Sequence, residues 1–208
     1  MAKITFSEEI YLRALTGKVV AEHILDDYTK IAIISINNTI CAAISAATEA
    51  VFVSLTEGRA AHFFVDDSNV DQVIQQVIEF NPDGVVLMFG GETPIEETKN
   101  LFVKTMHAIA VKNPEFDVIL HVRIFAAGGL QEALKDEAVE IYAEENEMGV
   151  YTVDLDNSLL IFSSIHVDDD DYDDIIHLEK ILEIPVTAEH ADLLNRSLRN
   201  KTIAWVDA

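Results

Sequence analysis

From His166 to His177 the chain reads His-Val-Asp-Asp-Asp-Asp-Tyr-Asp-Asp-Ile-Ile-His, six aspartates and two histidines in twelve residues. Hard divalent cations are held by several carboxylate oxygens, and imidazole suits transition metals. If 172–182 is helical, Asp173 and Asp174 stand four and three residues before His177 and share its face. The candidate metal ligands are therefore His166, Asp168, Asp170, Asp173, Asp174 and His177, and the candidate cofactor is a divalent cation: Mg²⁺, Mn²⁺ or Ca²⁺. The plainer account of the same residues is a solvated helix start, with aspartates capping the helix and opposing its dipole.

Cys41 is the chain's one cysteine, so an internal disulfide is excluded. In the first turn of a helix its thiol would be a nucleophile candidate. Its apolar neighbours Ile40, Ala42 and Ala43 favour a buried small hydrophobe instead. Gly90-Gly91 and Gly128-Gly129 fall where predicted strands feed predicted helices, a place where phosphates bind. Acids follow both pairs, and no Lys or Arg adjoins them in sequence, so tight turns with close backbone packing explain them better. The remaining histidines (His23, His62, His107, His121, His190) stand singly.

Val153-Asp154-Leu155-Asp156-Asn157-Ser158-Leu159 resembles the first motif of haloacid-dehalogenase-like phosphatases and the D-x-D of some glycosyltransferases. That resemblance would imply an aspartate nucleophile and a second aspartate as acid. Only 49 residues follow Leu159, too few for the rest of such a fold, and a hairpin turn at Asp156-Asn157 accounts for the residues. The strand-Gly-Gly is similar to that of glutamine-amidotransferase-like proteins, but their cysteine comes later in the chain, whereas Cys41 comes before. The Asp-rich segment is not an EF-hand, since the glycine and the closing glutamate are missing.

Composition narrows the partners. The chain has 208 residues, 14 basic and 37 acidic, for a formal net charge of −23. Such a field repels phosphate backbones and anionic lipid surfaces, so direct nucleic-acid or membrane binding is not expected. Nothing resembles a cleaved leader, and the expected location is cytoplasmic. Half the residues are apolar and the mean hydropathy is +0.19. That is more than one core needs, so a homo-oligomer is expected. Gln131–Glu147 carries seven acids against one lysine, a solvated face or a surface for a basic protein partner.

The elements that must position these residues alternate. Ser7 opens a helix with Leu12, Leu15 and Val19 on one stripe, weakened at Gly17. Lys30–Ile36 is a buried strand. Residues 39–50 fit either a helix capped by Asn38 or Thr39 or a strand. Val51–Leu55 and Ala60–Val65 read as a hairpin. Val70–Ile78 has helical spacing, Val85–Phe89 is a strand, and Thr93-Pro94-Ile95-Glu96 reads as a capping box with Pro94 at the first helical position. A strand over Phe116–Phe125 and one helix from Leu130 to Ile141 follow. Then come a hairpin of Val150–Leu155 with Leu159–Ser164, helices near 172–182 and 188–199, and a last strand at Lys201–Val206.

This order gives an α/β fold, a mixed and partly parallel sheet covered by helices, in one domain over 1–208, with 158–208 a C-terminal extension packed on it. With a strand at 39–50, the order of elements resembles the ribonuclease H-like and actin-like folds. The best functional expectation is a non-enzymatic acidic binding protein acting through protein contacts. The alternatives are a divalent-metal-dependent hydrolase using 166–177 and an acidic mimic of nucleic acid.

Overall fold

Thr5 caps the first helix in a reciprocal box: its hydroxyl accepts from the Glu8 N–H, and the Glu8 carboxylate accepts from the Thr5 N–H. The helix, α1 (Phe6–His23), runs unbroken through Gly17. A Cβ there would lie 2.4 Å from the Ile44 carbonyl oxygen and 2.8 Å from Thr48 Oγ1. The glycine lets α1 lie directly on α2 (Thr39–Thr56). The computed structural model describes residues 3–167 and 175–200.

The other elements are β1 (Lys30–Ile36), β2 (Arg59–Val65), α3 (Val70–Phe80), β3 (Gly84–Met88), α4 (Ile95–Lys112), β4 (Asp117–Leu120), α5 (Val122–Ala126), α6 (Gly129–Ala133), α7 (Glu137–Glu145), β5 (Met148–Asp154), β6 (Leu159–Val167), β7 (Ile176–Pro185) and α8 (Ala188–Asn200). The strands form one seven-stranded sheet in the order β2-β1-β3-β4-β5-β6-β7. β1 to β5 run parallel, and β6 and β7 are antiparallel additions. The mixed α/β expectation holds. The runs in β1 and β3 do not alternate because helices cover both faces.

One core lies between the sheet and α3, α4, α6 and α7, with Ile34, Val85, Leu87, Val118 and Leu120 pointing into it. The second lies under α1 and α2, filled by Ile31, Ile33, Val86, Met88, Ile119 and Tyr151. A smaller cluster of Ile4, Leu12, Leu193 and Leu194 seats α8 on α1.

Several expectations are corrected. Residues 39–50 are helical, so the ribonuclease H-like order does not arise. Val51–Leu55 is not a strand, and the expected hairpin is the end of α2 followed by β2, which runs parallel to β1. The residues buried on α2 are Ile40, Cys41, Ile44, Ser45, Thr48 and Phe52, at helical spacing; packing of that face overrides the β-propensity of Val51–Leu55. By length and composition α2 would suffice to cross a membrane, and here it packs on α1 and the sheet. Pro94 stands at the N-cap of α4, with no side-chain cap bond. The strand expected over Phe116–Phe125 ends at Leu120, where His121 caps α5. The helix from Leu130 to Ile141 is two, divided at Asp136, whose side chain caps α7. Residues 176–182 are strand rather than helix, paired with β6. The strand expected at Lys201–Val206 lies outside the described residues.

The close seat at Gly17 makes a prediction. Alanine is the better helix former by about 1 kcal/mol, but its methyl group must push α1 away from the α2 backbone, and overpacking costs about 1–3 kcal/mol. The balance is a net loss of up to about 2 kcal/mol, so Gly17→Ala is expected to lower the melting temperature by up to roughly 4–8 °C, at about 2–4 °C per kcal/mol for a chain of this size. A rise in melting temperature would show that the two helices are not fixed at this crossing.

Candidate functional site

A doubly wound sheet in the order 2-1-3-4-5 has a switch point between β1 and β3. The connections leave these two strands on opposite faces, the place where doubly wound sheets bind ligands beyond the carboxyl ends of their strands. Asn38 stands there. Its Oδ1 accepts from the Cys41 N–H at 2.8 Å and so caps α2, and its Nδ2 donates to the Gly90 carbonyl and to Thr93 Oγ1, both at 3.4 Å. Gly91 has φ +76°, and a Cβ there would sit 2.4 Å from Asn38 Oδ1. The first glycine pair is thus a tight turn, as expected, and its backbone lies against the α2 cap. The second pair joins α5 to α6 rather than a strand to a helix.

Beneath this turn lies a buried polar cluster assembled from five elements. Cys41, in the first turn of α2, is 2% exposed. Burial pushes its thiol pKa up, against the smaller opposing effects of the Asn38 side chain, the Gly90 N–H and the charges of Arg13 and Arg123. His121 follows β4 and is buried; its Nδ1 accepts from the Arg123 N–H at 3.0 Å, which leaves the proton of the neutral ring on Nε2. Burial, with the charges of Arg13 and Arg123, holds the pKa of His121 well below the ordinary histidine range. Its ring meets Tyr151 of β5 edge-on at 5.3 Å, and the Tyr151 hydroxyl donates to Met88 Sδ.

Arg123 donates through Nη1 to the Gly91 carbonyl. Arg13 of α1 donates to Glu9, one turn before it, and both side chains are buried. Glu9 Oε1 also accepts from Ser197 Oγ of α8 at 3.1 Å, while Glu9 Oε2 is buried without a hydrogen-bond partner among the described residues. One turn further along α1, Thr16 Oγ1 donates to the Leu12 carbonyl and faces His190 Nε2 of α8 at 3.0 Å. Burial, then the charge of Arg13, pushes the pKa of His190 down to about 4.

Cys41 is buried, as its apolar neighbours lead one to expect, and it stands in the first turn of a helix, one of the two alternatives that the sequence leaves open for 39–50. The sequence reading missed Glu9, Arg13 and Arg123, and it treated the Gly90-Gly91 turn as lacking a cation. Each arginine does leave one signal, a charged residue interrupting an apolar run: Leu12-Arg13-Ala14-Leu15 and Val122-Arg123-Ile124-Phe125.

The metal candidates fall elsewhere. His166 and His177 face each other across β6 and β7, both exposed, and His166 Nε2 lies 3.3 Å from Glu179 Oε2. The helical geometry expected to align Asp173 and Asp174 with His177 is replaced by strand at His177. Asp168, Asp170, Asp173 and Asp174 lie outside the described residues. Among the described residues no three His, Cys, Asp or Glu side chains gather as metal ligands. The Asp154-Leu-Asp156 motif is the turn between β5 and β6: Asp154 Oδ1 accepts from the Asp156 and Asn157 N–H groups at 3.0 Å, the hairpin expected from the sequence. Of the seven acids of 131–147, Glu132 lies on α6, Glu137, Glu140, Glu144 and Glu145 on α7, and Asp136 and Glu147 just outside α7; Glu144, Glu145 and Glu147 border an open groove of about 360 Å³ with His166.

No curated protein matches the chain. Solved structures similar to it include a protein assigned as a branched-chain amino acid ABC transporter from Rhodospirillum rubrum, at 15% identity and TM-score 0.48, covering 68% of this chain and 37% of that one. Another is the solute-binding protein of an ABC transporter from R. palustris, solved with benzoate, at 14% identity and TM-score 0.45, covering 72% and 38%. A third is a leucine-binding protein from Thermotoga maritima, at 13% identity and TM-score 0.46, covering 72% and 39%. The chain spans less than two-fifths of the length of each. A family model described as "Uncharacterized protein" matches residues 9–193, and the chain belongs to that family.

Proposed function

We propose that this is a binding protein whose ligand is a small molecule bearing an acid group, seated at the carboxyl ends of β1, β3 and β4. One observation carries the reading: in a chain of net charge −23, the cluster beneath the switch point holds two guanidiniums, Arg13 and Arg123, against one carboxylate, Glu9. Burial, and then the charge of Arg13, lowers the proton affinity of Arg123. Two cations held near each other in a poorly solvated place repel, and an anion on the ligand relieves that repulsion. The N-terminus of α2 and the close-packed Gly90-Gly91 backbone suit a carboxylate or phosphate at the same spot.

The buried thiol supports binding over nucleophilic catalysis, since burial favours its protonated form. The acidic remainder of the surface disfavours polyanions, which keeps the ligand small. This sharpens the expectation of a non-enzymatic binding protein and moves the contact from a protein surface to an internal seat.

The test is thermal melting with a panel of small carboxylates and phosphate monoesters, each against NaCl of equal ionic strength. A ligand present at about a hundred times its Kd adds about 2.7 kcal/mol, or roughly 5–10 °C. At least one member is expected to give such a rise, and Arg123→Met is expected to remove it while leaving the circular dichroism spectrum unchanged. If no anion exceeds its salt control, or if the rise survives in Arg123→Met, the reading is wrong.

A further inference from the structure

β7 forms one edge of the sheet, pairing with β6 alone among the described residues. An edge strand presents a row of unpaired N–H and C=O groups, and long apolar edges are where sheets join. β7 spans ten residues, of which eight, 177–183 and 185, are exposed. Leu178, Ile181 and Leu182 are 44%, 52% and 40% exposed, three of the ten large apolar side chains left in solvent among the described residues. The opposite edge, β2, exposes Phe64 alone of this group.

The pattern on β7 complements itself. Lys180 stands opposite Ser163 and Glu183 opposite Ile161. Positions 161 and 163 share a face of β6, so Lys180 and Glu183 share a face of β7, and within one copy the Lys180 ammonium already donates to Glu183. The extra residue that this spacing requires is the irregularity between Phe162 and Ser163 in the β6–β7 register.

We propose that the partner of this edge is a second copy of the chain. The two β7 strands pair antiparallel about a two-fold axis, making one continuous sheet across the dimer. In the register that sets Lys180 of each copy opposite Glu183 of the other, Ile181 of each copy meets Leu182 of the other at the centre. A two-fold contact repeats each pair, so one Lys–Glu match gives two, and the two most central apolar side chains are covered twice over. A homo-oligomer was expected from the hydropathy alone; the edge strand gives it a place and a register. The proposal is independent of the anion seat, which lies at β1, β3 and β4, with β5 and β6 between it and this edge.

The experiment is light scattering after size exclusion in about 0.15 M NaCl, an ionic strength that screens the repulsion of two acidic chains beyond ~8 Å. The wild-type protein is expected at twice the 23.1 kDa chain mass at micromolar concentration. Ile181→Lys, at a side chain already half in solvent, is expected to give the monomer mass with an unchanged circular dichroism spectrum. Lys180→Glu places like charges opposite each other and is expected to weaken the dimer about tenfold or more, and Lys180→Glu with Glu183→Lys is expected to restore it. The proposal falls if the wild type is monomeric throughout, if Ile181→Lys remains dimeric, or if the charge swap does no better than Lys180→Glu alone.

Discussion

Arg13→Met is expected to lower the stability of the fold by roughly 3–5 kcal/mol, the usual cost of stripping one partner from a buried ion pair. Glu9 is 1% exposed and one of its oxygens has no hydrogen-bond partner among the described residues, so removing Arg13 leaves the carboxylate with the Ser197 hydroxyl as its hydrogen-bond partner among them. Methionine fills much of the space of the arginine stem, which separates the loss of charge from the opening of a cavity. The pair as a whole need not be stabilising, because burying two ions costs about as much as their attraction returns. Glu9→Gln combined with Arg13→Met is therefore expected to recover most of the loss. Urea unfolding at pH 7 measures both variants. A single-variant loss under about 1 kcal/mol, or a double variant as unstable as the single, would mean that the carboxylate reaches water and the cluster is not closed.

The second large effect is a loss of stability between about pH 6.5 and pH 5. His190 is 2% exposed and its pKa is pushed down to about 4. His121 is 4% exposed and its pKa is held well below the ordinary range, through burial first and then the charges of Arg13 and Arg123. In the unfolded chain both titrate near 6.5. Below that pH the unfolded chain binds protons that the folded one refuses, so stability is full above about pH 6.5 and falls as the pH drops toward the folded pKa values. For His190 alone the drop to about 4 corresponds to at most about 3 kcal/mol, and nearer 2 with partial hydration.

Carboxylates act in a different window. Glu8, held at about 2 chiefly by its hydrogen bonds from Arg196 and the Thr5 N–H, loses its contribution only below the ordinary carboxylate range. The slope between pH 6.5 and 5 therefore reports these two histidines together with His62, whose pKa burial also lowers. His190→Gln is expected to flatten it measurably while retaining an amide to face Thr16. Denaturant midpoints taken at half-unit steps decide this: a flat profile from pH 7 to 5, or an unchanged slope in His190→Gln, would show that these rings reach solvent when protonated.

The elements whose sequence pattern and packing agree were legible without coordinates. Lys30–Ile36 is nearly all apolar and Val85–Phe89 wholly so because helices cover both sides of the sheet. Val70–Ile78 repeats at helical spacing because one face of α3 is buried. Asp156-Asn157 marks a turn through its own side-chain chemistry, and the Asp154 carboxylate completes it. Each of these signals is local, fixed by residues within a few positions of one another.

What only the tertiary structure decided is non-local. Val51–Leu55 carries the propensity of a strand, yet it ends α2 because Phe52 packs beneath that helix and Gly17 admits it against α1. The segment before His177 reads as a helix start by its acids, but the residues from Ile176 onward pair with β6, a backbone choice made by a partner strand. The candidate site depends on the same kind of distance. Glu9 and Arg13 on α1, Asn38 and Cys41 at α2, Gly90 and Gly91 after β3, His121 and Arg123 after β4, and Tyr151 on β5 are scattered over most of the chain. No spacing rule links them. They meet because parallel strands deliver their carboxyl ends to one side of the sheet, where the winding changes between β1 and β3. Composition determined that the chain is acidic and rich enough in apolar residues to fold; the three-dimensional winding decided where its few buried cations would be gathered.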